Sequence, residues 1–250
     1  MPKYKAVISD IDGTLTPIII GASPSPKTVE AINKLKSRNI IFSLATGRPF
    51  HLIEKIVKDL NLTAPMITDN GAVITDGMNN ILWEAVLPYQ EATNLLQICK
   101  QYGFTRISTN NCNEDNPSSI PAGDKVRKVS IHDILPEKAN KLIDKVGEKY
   151  KNICISKSAS YKGEKHMDVY FSHAHATKQR AILEYSQLLN INTDEIVGIG
   201  DGYNDFPLLM ACGLKVAMGN AVEELKEIAD YIAPTVEEDG LATVIEKFLL

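Results

Sequence analysis

Four short apolar runs in this chain each stop at a polar cluster, and that arrangement limits the fold more than any other feature. Residues 6–8 lead into Asp10-Ile11-Asp12-Gly13-Thr14, and residues 40–44 into Thr46-Gly47-Arg48. Residues 66–68 lead into Asp69-Asn70-Gly71, and residues 195–199 into Gly200-Asp201-Gly202-Tyr203-Asn204-Asp205. The runs are too short for helices and rich in β-branched residues, so they read as strands buried on both faces. Helix-period stretches separate them. After Ser25-Pro26, an N-cap and first-turn pair, Val29, Ile32 and Leu35 line one apolar face. This alternation predicts an α/β fold, a doubly wound parallel sheet with crossover helices. Ligands bind outside the carboxyl ends of such strands, so the fold would gather all four clusters at one edge.

Beyond residue 87 the texture changes. A helix is expected over residues 90–102, strands near 106–109 and 128–131, a helix over 136–150, and strands over 153–156 and 167–171, with a polar loop at 110–123. These read as two β-α-β units forming a smaller α/β module. The first texture then returns, with strands at 195–199, 215–217 and 231–232 and a last helix over 241–249. The predicted division is a core of residues 1–85 and 174–250 interrupted by an inserted unit, 86–173.

Composition narrows the partners. The chain has 250 residues and a net charge of −4, from 27 basic and 31 acidic side chains. No basic field favours nucleic acid. No apolar run is long enough to span a bilayer, and Pro17-Ile18-Ile19-Ile20 is the nearest approach. With no apolar signal region near the N-terminus, a cytoplasmic location is expected. Cys99, Cys112, Cys154 and Cys212 are scattered without a C-x-x-C pair, which points to reduced thiols. A monomer or a homodimer would both be compatible.

Asp10 and Asp12 end a core strand one residue apart. On the order of one Asp-x-Asp is expected by chance in such a chain, and a strand-ending Asx turn is the competing reading. Bare carboxylates at the end of a buried strand need a partner, most simply a cation. With Asp201 and Asp205 the edge carries up to four carboxylates and neither His nor Cys. Such a hard oxygen set suits Mg²⁺, with Asp10 and Asp201 as direct ligands. Thr46, Gly47 and Arg48 offer a hydroxyl and backbone N–H groups at a helix entry, which suits a phosphate. Lys178 falls in the first turn of an expected helix, where the dipole disfavours a cation unless an anion accompanies it. Asn70 and Gly71 read equally as a substrate contact or a turn. His173 and His175 read as linker histidines, because two histidines without a third ligand make a poor zinc site.

Asp10-Ile11-Asp12-Gly13-Thr14, Thr46 in Ala-Thr-Gly-Arg, Lys178, and Gly200-Asp201-Gly202-Tyr203-Asn204-Asp205 resemble, in order and spacing, the four motifs of the haloacid dehalogenase (HAD) superfamily. The insertion between Thr46 and Lys178 resembles the α/β cap of its Cof-type sugar-phosphatase branch. The resemblance implies a Rossmann-like core and a Mg²⁺-dependent phosphatase acting on a small phosphorylated metabolite. It makes Asp10 the nucleophile and Asp12 the general acid and base. It puts the metal on Asp10, Asp201 and the backbone carbonyl of Asp12, with Asp205 supporting the metal or orienting Lys178. Thr46, Gly47, Arg48, Lys178 and Asn204, with Asn70 and Gly71, would bind phosphate and substrate. Loop 110–125 and segment 161–166 of the cap would face the core. A phosphomutase of the same superfamily shares the first half of this mechanism. A receiver-like phospho-acceptor shares the acids, the Thr and the Lys.

Overall fold

The computed structural model of the chain describes residues 3–250 apart from Ile20, Cys112, Tyr161 and Glu164. The fourth cysteine, and Tyr161 and Glu164 of the 161–166 segment, therefore lie outside the described residues. Cys99, Cys154 and Cys212 are free thiols. Among the described residues no helix is long and apolar enough to cross a membrane.

The chain divides into two compact units. One runs to Trp83 and resumes at Lys178, and the other is Glu84–Thr177. The first unit opens with β1 (Ala6–Ser9), α1 (Pro26–Ser37), β2 (Ile41–Leu44), α2 (Phe50–Asp59), β3 (Met66–Thr68), β4 (Val73–Thr75) and β5 (Ile81–Glu84). In the inserted unit follow α3 (Tyr89–Lys100), β6 (Phe104–Thr109), β7 (Asn113–Asp115), β8 (Val126–Ile134), α4 (Pro136–Lys149), β9 (Ile153–Ala159) and β10 (Met167–His173). The first unit then closes with α5 (Lys178–Leu189), β11 (Ile196–Gly200), α6 (Phe206–Ala211), β12 (Leu214–Ala217), α7 (Glu223–Glu227), β13 (Tyr231–Ile232) and α8 (Gly240–Phe248).

Five parallel strands form the main sheet in the order β13-β12-β11-β1-β2. A bridge between Ala45 and Ile67 carries the edge of β2 on toward β3. The chain winds outward from β1 through β2, then returns to β11 on the other side of β1 and winds away through β12 and β13. The order thus reverses between β1 and β11, where a doubly wound sheet opens a binding crevice. All four residues of β1 are buried, as befits a strand paired on both sides and covered on both faces. On α1 the buried positions are Thr28, Ala31, Ile32 and Leu35, one stripe at helical spacing. Its N-cap Ser25 accepts from the Thr28 N–H at 3.1 Å, an arrangement worth about 1 kcal/mol. Strands β3, β4 and β5 form a separate small sheet. Its turn is organised by Asp76, whose Oδ1 accepts from the N–H groups of Met78 and Asn80.

The inserted unit differs from the expected pair of β-α-β units. Its sheet, β7-β6-β8-β10-β9, is antiparallel throughout. Helix α4 carries the chain from β8 across to β9, and β10 then returns between the two. The link from Ala159 to Met167 is too short for a crossover, which needs about a dozen residues, so β9 and β10 must form a hairpin. Part of the expected loop at 110–123 is strand β7, which polar residues concealed. Leu95, Cys99, Leu142 and Val146 of the two helices share a core with Ile107, Val129, Ile131, Val169 and Phe171 of the sheet.

Candidate active site

The site grows from the two central strands. The Asp10 N–H donates to Ile199 O at 2.9 Å, so the pairing of β1 with β11 continues one residue past the strand and fixes the Asp10 backbone. Asp201 follows the last residue of β11, and Asp205 ends the tight turn after it. Among the described residues, Asp10, Asp201 and Asp205 form the only group of three that could hold a metal ion. Their nearest ligand atoms all lie within 4.8 Å of one another. The parallel register of β1 and β11 joins residues that stand almost two hundred positions apart.

Lys178 opens α5 and is 1 % exposed. Its Nζ donates to Asp10 Oδ1 at 2.8 Å and to Asp205 Oδ1 at 2.5 Å. These carboxylates offset the helix dipole that made a cation at this position unexpected. Asp205 is itself held by the backbone, its Oδ2 accepting from the N–H groups of Asp201 and Gly202 at 3.0 Å each.

Three carboxylates against one ammonium leave an excess of two negative charges in a buried place. Burial, and then the negative charge of Asp205, push the Asp10 carboxyl up to about 7 despite Lys178. Burial and the charges of Asp205 and Asp10 hold Asp201 well above the usual carboxylate range, against the hydrogen bond from Thr14. Burial works to lower the Lys178 ammonium, but Asp10 and Asp205 outweigh it and raise it. A cluster that resists its own ionisation is a receptor for positive charge. All-oxygen donors with no nitrogen or sulfur fit a hard divalent cation.

Close packing holds the cluster in place. Gly13 has a φ of +82°, and a Cβ there would lie 2.3 Å from Asp201 Oδ2. Thr14 Oγ1 donates to Asp201 Oδ1 at 2.8 Å, so the carboxylate cannot simply swing away. Asn220, just past β12, donates through Nδ2 to Gly13 O at 2.8 Å and accepts from the Val236 N–H at 2.9 Å. Sequence reasoning assigned no role to Thr14 or Asn220. Asn220 did carry a signal, because it follows a buried strand at the edge where the other clusters lie.

The remaining expected residues lie at the same edge, in two pairings. Arg48, read from the sequence as a phosphate group partner, forks the Asp12 carboxylate. Its Nε donates to Oδ2 at 2.9 Å and its Nη2 to Oδ1. The Asp12 carboxylate is thus engaged apart from the metal-fitting group. Thr46 is buried, and its Oγ1 accepts from the Arg48 N–H at 3.1 Å. Asp69, Asn70 and Gly71 have φ values of 51°, 59° and 95°, a left-handed turn. Within it the Asn70 N–H donates to Thr46 O at 3.0 Å, and Asn70 Oδ1 accepts from Asn204 Nδ2 at 3.3 Å. A Cβ on Gly47 would come within 2.9 Å of Asn70 Oδ1, so this glycine is what lets the two loops close together. His173 and His175, in the inserted unit, meet edge to face with ring centroids 5.1 Å apart.

Known proteins are similar to this chain over nearly its whole length. The model of the haloacid dehalogenase-like hydrolase family matches residues 7–117 and 105–245. A phosphoglycolate phosphatase of Methanopyrus kandleri is 28 % identical over 247 residues, 97 % of this chain and 96 % of that protein. A 5-amino-6-(5-phospho-D-ribitylamino)uracil phosphatase of Bacillus subtilis is 24 % identical over 254 residues, covering 98 % and 96 %. The solved structure of a haloacid dehalogenase-like hydrolase from B. subtilis superposes with a TM-score of 0.86 at 21 % identity, over 98 % of this chain and all of that one. With the family model matched across both units and the same fold in a solved member, the chain belongs to the haloacid dehalogenase-like hydrolase family.

Proposed function

We propose that the protein is a Mg²⁺-dependent phosphoric monoester hydrolase that acts on a small phosphorylated metabolite through an aspartyl phosphate. One observation carries the reading: the buried Asp10 carboxylate held by Lys178 at 2.8 Å, within reach of Asp201 and Asp205. The two curated relatives, which act on phosphoglycolate and on a phosphoribityl compound, support a small monoester as the substrate.

The residues divide the work as follows. Lys178 holds the Asp10 carboxylate in one orientation, so the nucleophile is pre-positioned. An ammonium has three N–H donors, and two are engaged by Asp10 and Asp205, so one remains for a phosphoryl oxygen. Thr46 Oγ1 accepts from Arg48, which leaves its O–H to donate to another. A divalent cation, Mg²⁺ in this reading, held by Asp10, Asp201 and the Asp12 backbone carbonyl with Asp205 behind them, would supply charge to neutralise the phosphoryl group. In the first step an Asp10 oxygen bonds to phosphorus as the bond from phosphorus to the leaving oxygen breaks, and Asp12 gives that oxygen a proton. In the second step Asp12 takes a proton from the attacking water. The acyl phosphate then breaks, releasing phosphate and restoring Asp10.

The test is a phosphate-release screen over phosphorylated metabolites, with Mg²⁺ and with chelator. Release that depends on Mg²⁺ is the expected result. If a labelled acyl phosphate accumulates without turnover, the protein is a phospho-acceptor and the reading fails.

A further inference from the structure

We infer that Arg48 is a positioning residue for Asp12, and that its guanidinium sets the direction of the proton-transferring carboxylate instead of binding phosphate. The inference rests on the phosphatase reading above. A motif of Thr-Gly-Arg at a helix entry would ordinarily assign the arginine to an anion in the site. Here two of the five guanidinium N–H donors, the pair aligned as a fork, are already matched to a carboxylate of this chain. Nε and Nη2 meet the two oxygens of Asp12 side by side, the planar fork that only arginine offers.

The root of that fork is fixed. The Arg48 N–H donates to Thr46 Oγ1 at 3.1 Å, and its carbonyl accepts from the Asp69 N–H at 3.1 Å. Pro49 follows with φ −72° as the N-cap residue of α2. A side chain anchored at both backbone ends, with a rigid planar head, makes a steady reference point. Asp12 lies in the loop after β1, bridged to Thr16, and its side chain is about as exposed as that of Arg48, 25 % against 22 %. General acid–base catalysis needs the carboxyl within hydrogen-bond reach of the leaving oxygen, and a freely turning side chain spends little time there. The Arg48 fork takes one of the two acceptor positions on each Asp12 oxygen. Arg48 therefore restrains the carboxylate without blocking it.

Phosphate binding and Asp12 positioning predict opposite results. Arg48→Ala and Arg48→Lys are compared with the wild type in three measurements. The first is calorimetric titration with inorganic phosphate in the presence of Mg²⁺. The second is kcat/KM, which reports formation of the acyl phosphate, on p-nitrophenyl phosphate and on a phosphorylated alcohol. The third is Tm. The nitrophenolate leaves without a proton, whereas an alkoxide needs one. The expected result for Arg48→Ala is phosphate affinity within about twofold of wild type, and a loss of kcat/KM on the alcohol ester that exceeds the loss on the aryl ester by about a hundredfold. Arg48→Lys, which keeps the charge but not the fork, should fall between, and it still decides the matter if the alanine variant does not fold. A tenfold loss of phosphate affinity would make Arg48 a phosphate ligand and overturn the inference. So would equal losses on both esters with a lowered Tm, the mark of a structural role. A wild type that turns over neither ester defeats the phosphatase reading by itself. The phosphate titration of the variants then still separates a phosphate ligand from an Asp12 partner.

Discussion

Lys178 Nζ lies 2.8 Å from Asp10 Oδ1, although 168 residues and the whole inserted unit separate the two in sequence. The contact joins the start of α5 to the end of β1 and stands at the centre of a cluster with more negative than positive charge. Four predictions follow from that imbalance and its packing.

Removing the nucleophile while keeping its shape should separate catalysis from folding. Asp10→Asn is expected to lower phosphate release at least about a thousandfold. Its Tm in chelator should match or exceed that of the wild type, because one member of a mutually repelling acidic set is gone. Phosphate release and thermal melts on the same preparation check both halves.

Lys178 is the cluster's only internal counter-charge among the groups named. Lys178→Met should leave Asp10 and Asp205 buried without it, at a cost of about 3–5 kcal/mol. Urea unfolding in chelator measures the loss. Added Mg²⁺ should restore part of it, since a ligand that binds only the folded state adds about 2.7 kcal/mol at a hundred times its Kd. A variant as stable as wild type in chelator would mean that the ammonium is not what holds the carboxylates.

Stability should depend on pH in a direction set by Asp10. In the folded chain its carboxyl is pushed up to about 7 by burial and by Asp205, against about 3.9 when unfolded. The folded state therefore binds this proton more readily than the unfolded one. That contribution is fully present below about pH 4 and is lost as pH rises toward 7. Asp201 shifts in the same sense. In chelator, Tm should be higher at pH 5 than at pH 8. Mg²⁺ should narrow the gap, because the cation takes the place of the protons. Asp10→Asn should flatten the profile, and an identical profile in that variant would count against the assignment.

Gly13 is where packing and ligand binding meet. Gly13→Ala forces a left-handed φ on a residue with a Cβ, a strain of roughly 1–2 kcal/mol. It also drives that Cβ into Asp201, which Thr14 holds in place. The Mg²⁺ concentration needed to raise Tm half-way should increase about tenfold or more. A thermal-shift titration reads this directly.

The local pattern of the chain already contained the main sheet. Runs such as residues 6–8 and 196–199 carry no polar side chain because each strand is paired on both sides and covered on both faces. The polar residues that end them fall at one edge because the strands are parallel. Asp10, Thr46, Asn70 and Asp201 could therefore be read together before any contact was known. The inserted unit was less legible. A hairpin and a crossover have the same local periodicity, and only the short link between β9 and β10 forces the antiparallel order.

Most side-chain partnerships were decided by the tertiary structure. The helix-entry position of Lys178 called for an anion and the family resemblance offered Asp205 for it, but not the second contact with Asp10, and nothing near Arg48 says that it forks Asp12. Nor does the sequence disclose that Thr14 and Asn220 brace the loop around Gly13. Strand and helix propensity depend on neighbours a few residues away, so one sequence carries them. The partner of a charged side chain depends on which atoms the folded sheet brings within about 3 Å, and that distance exists only once the chain has closed on itself.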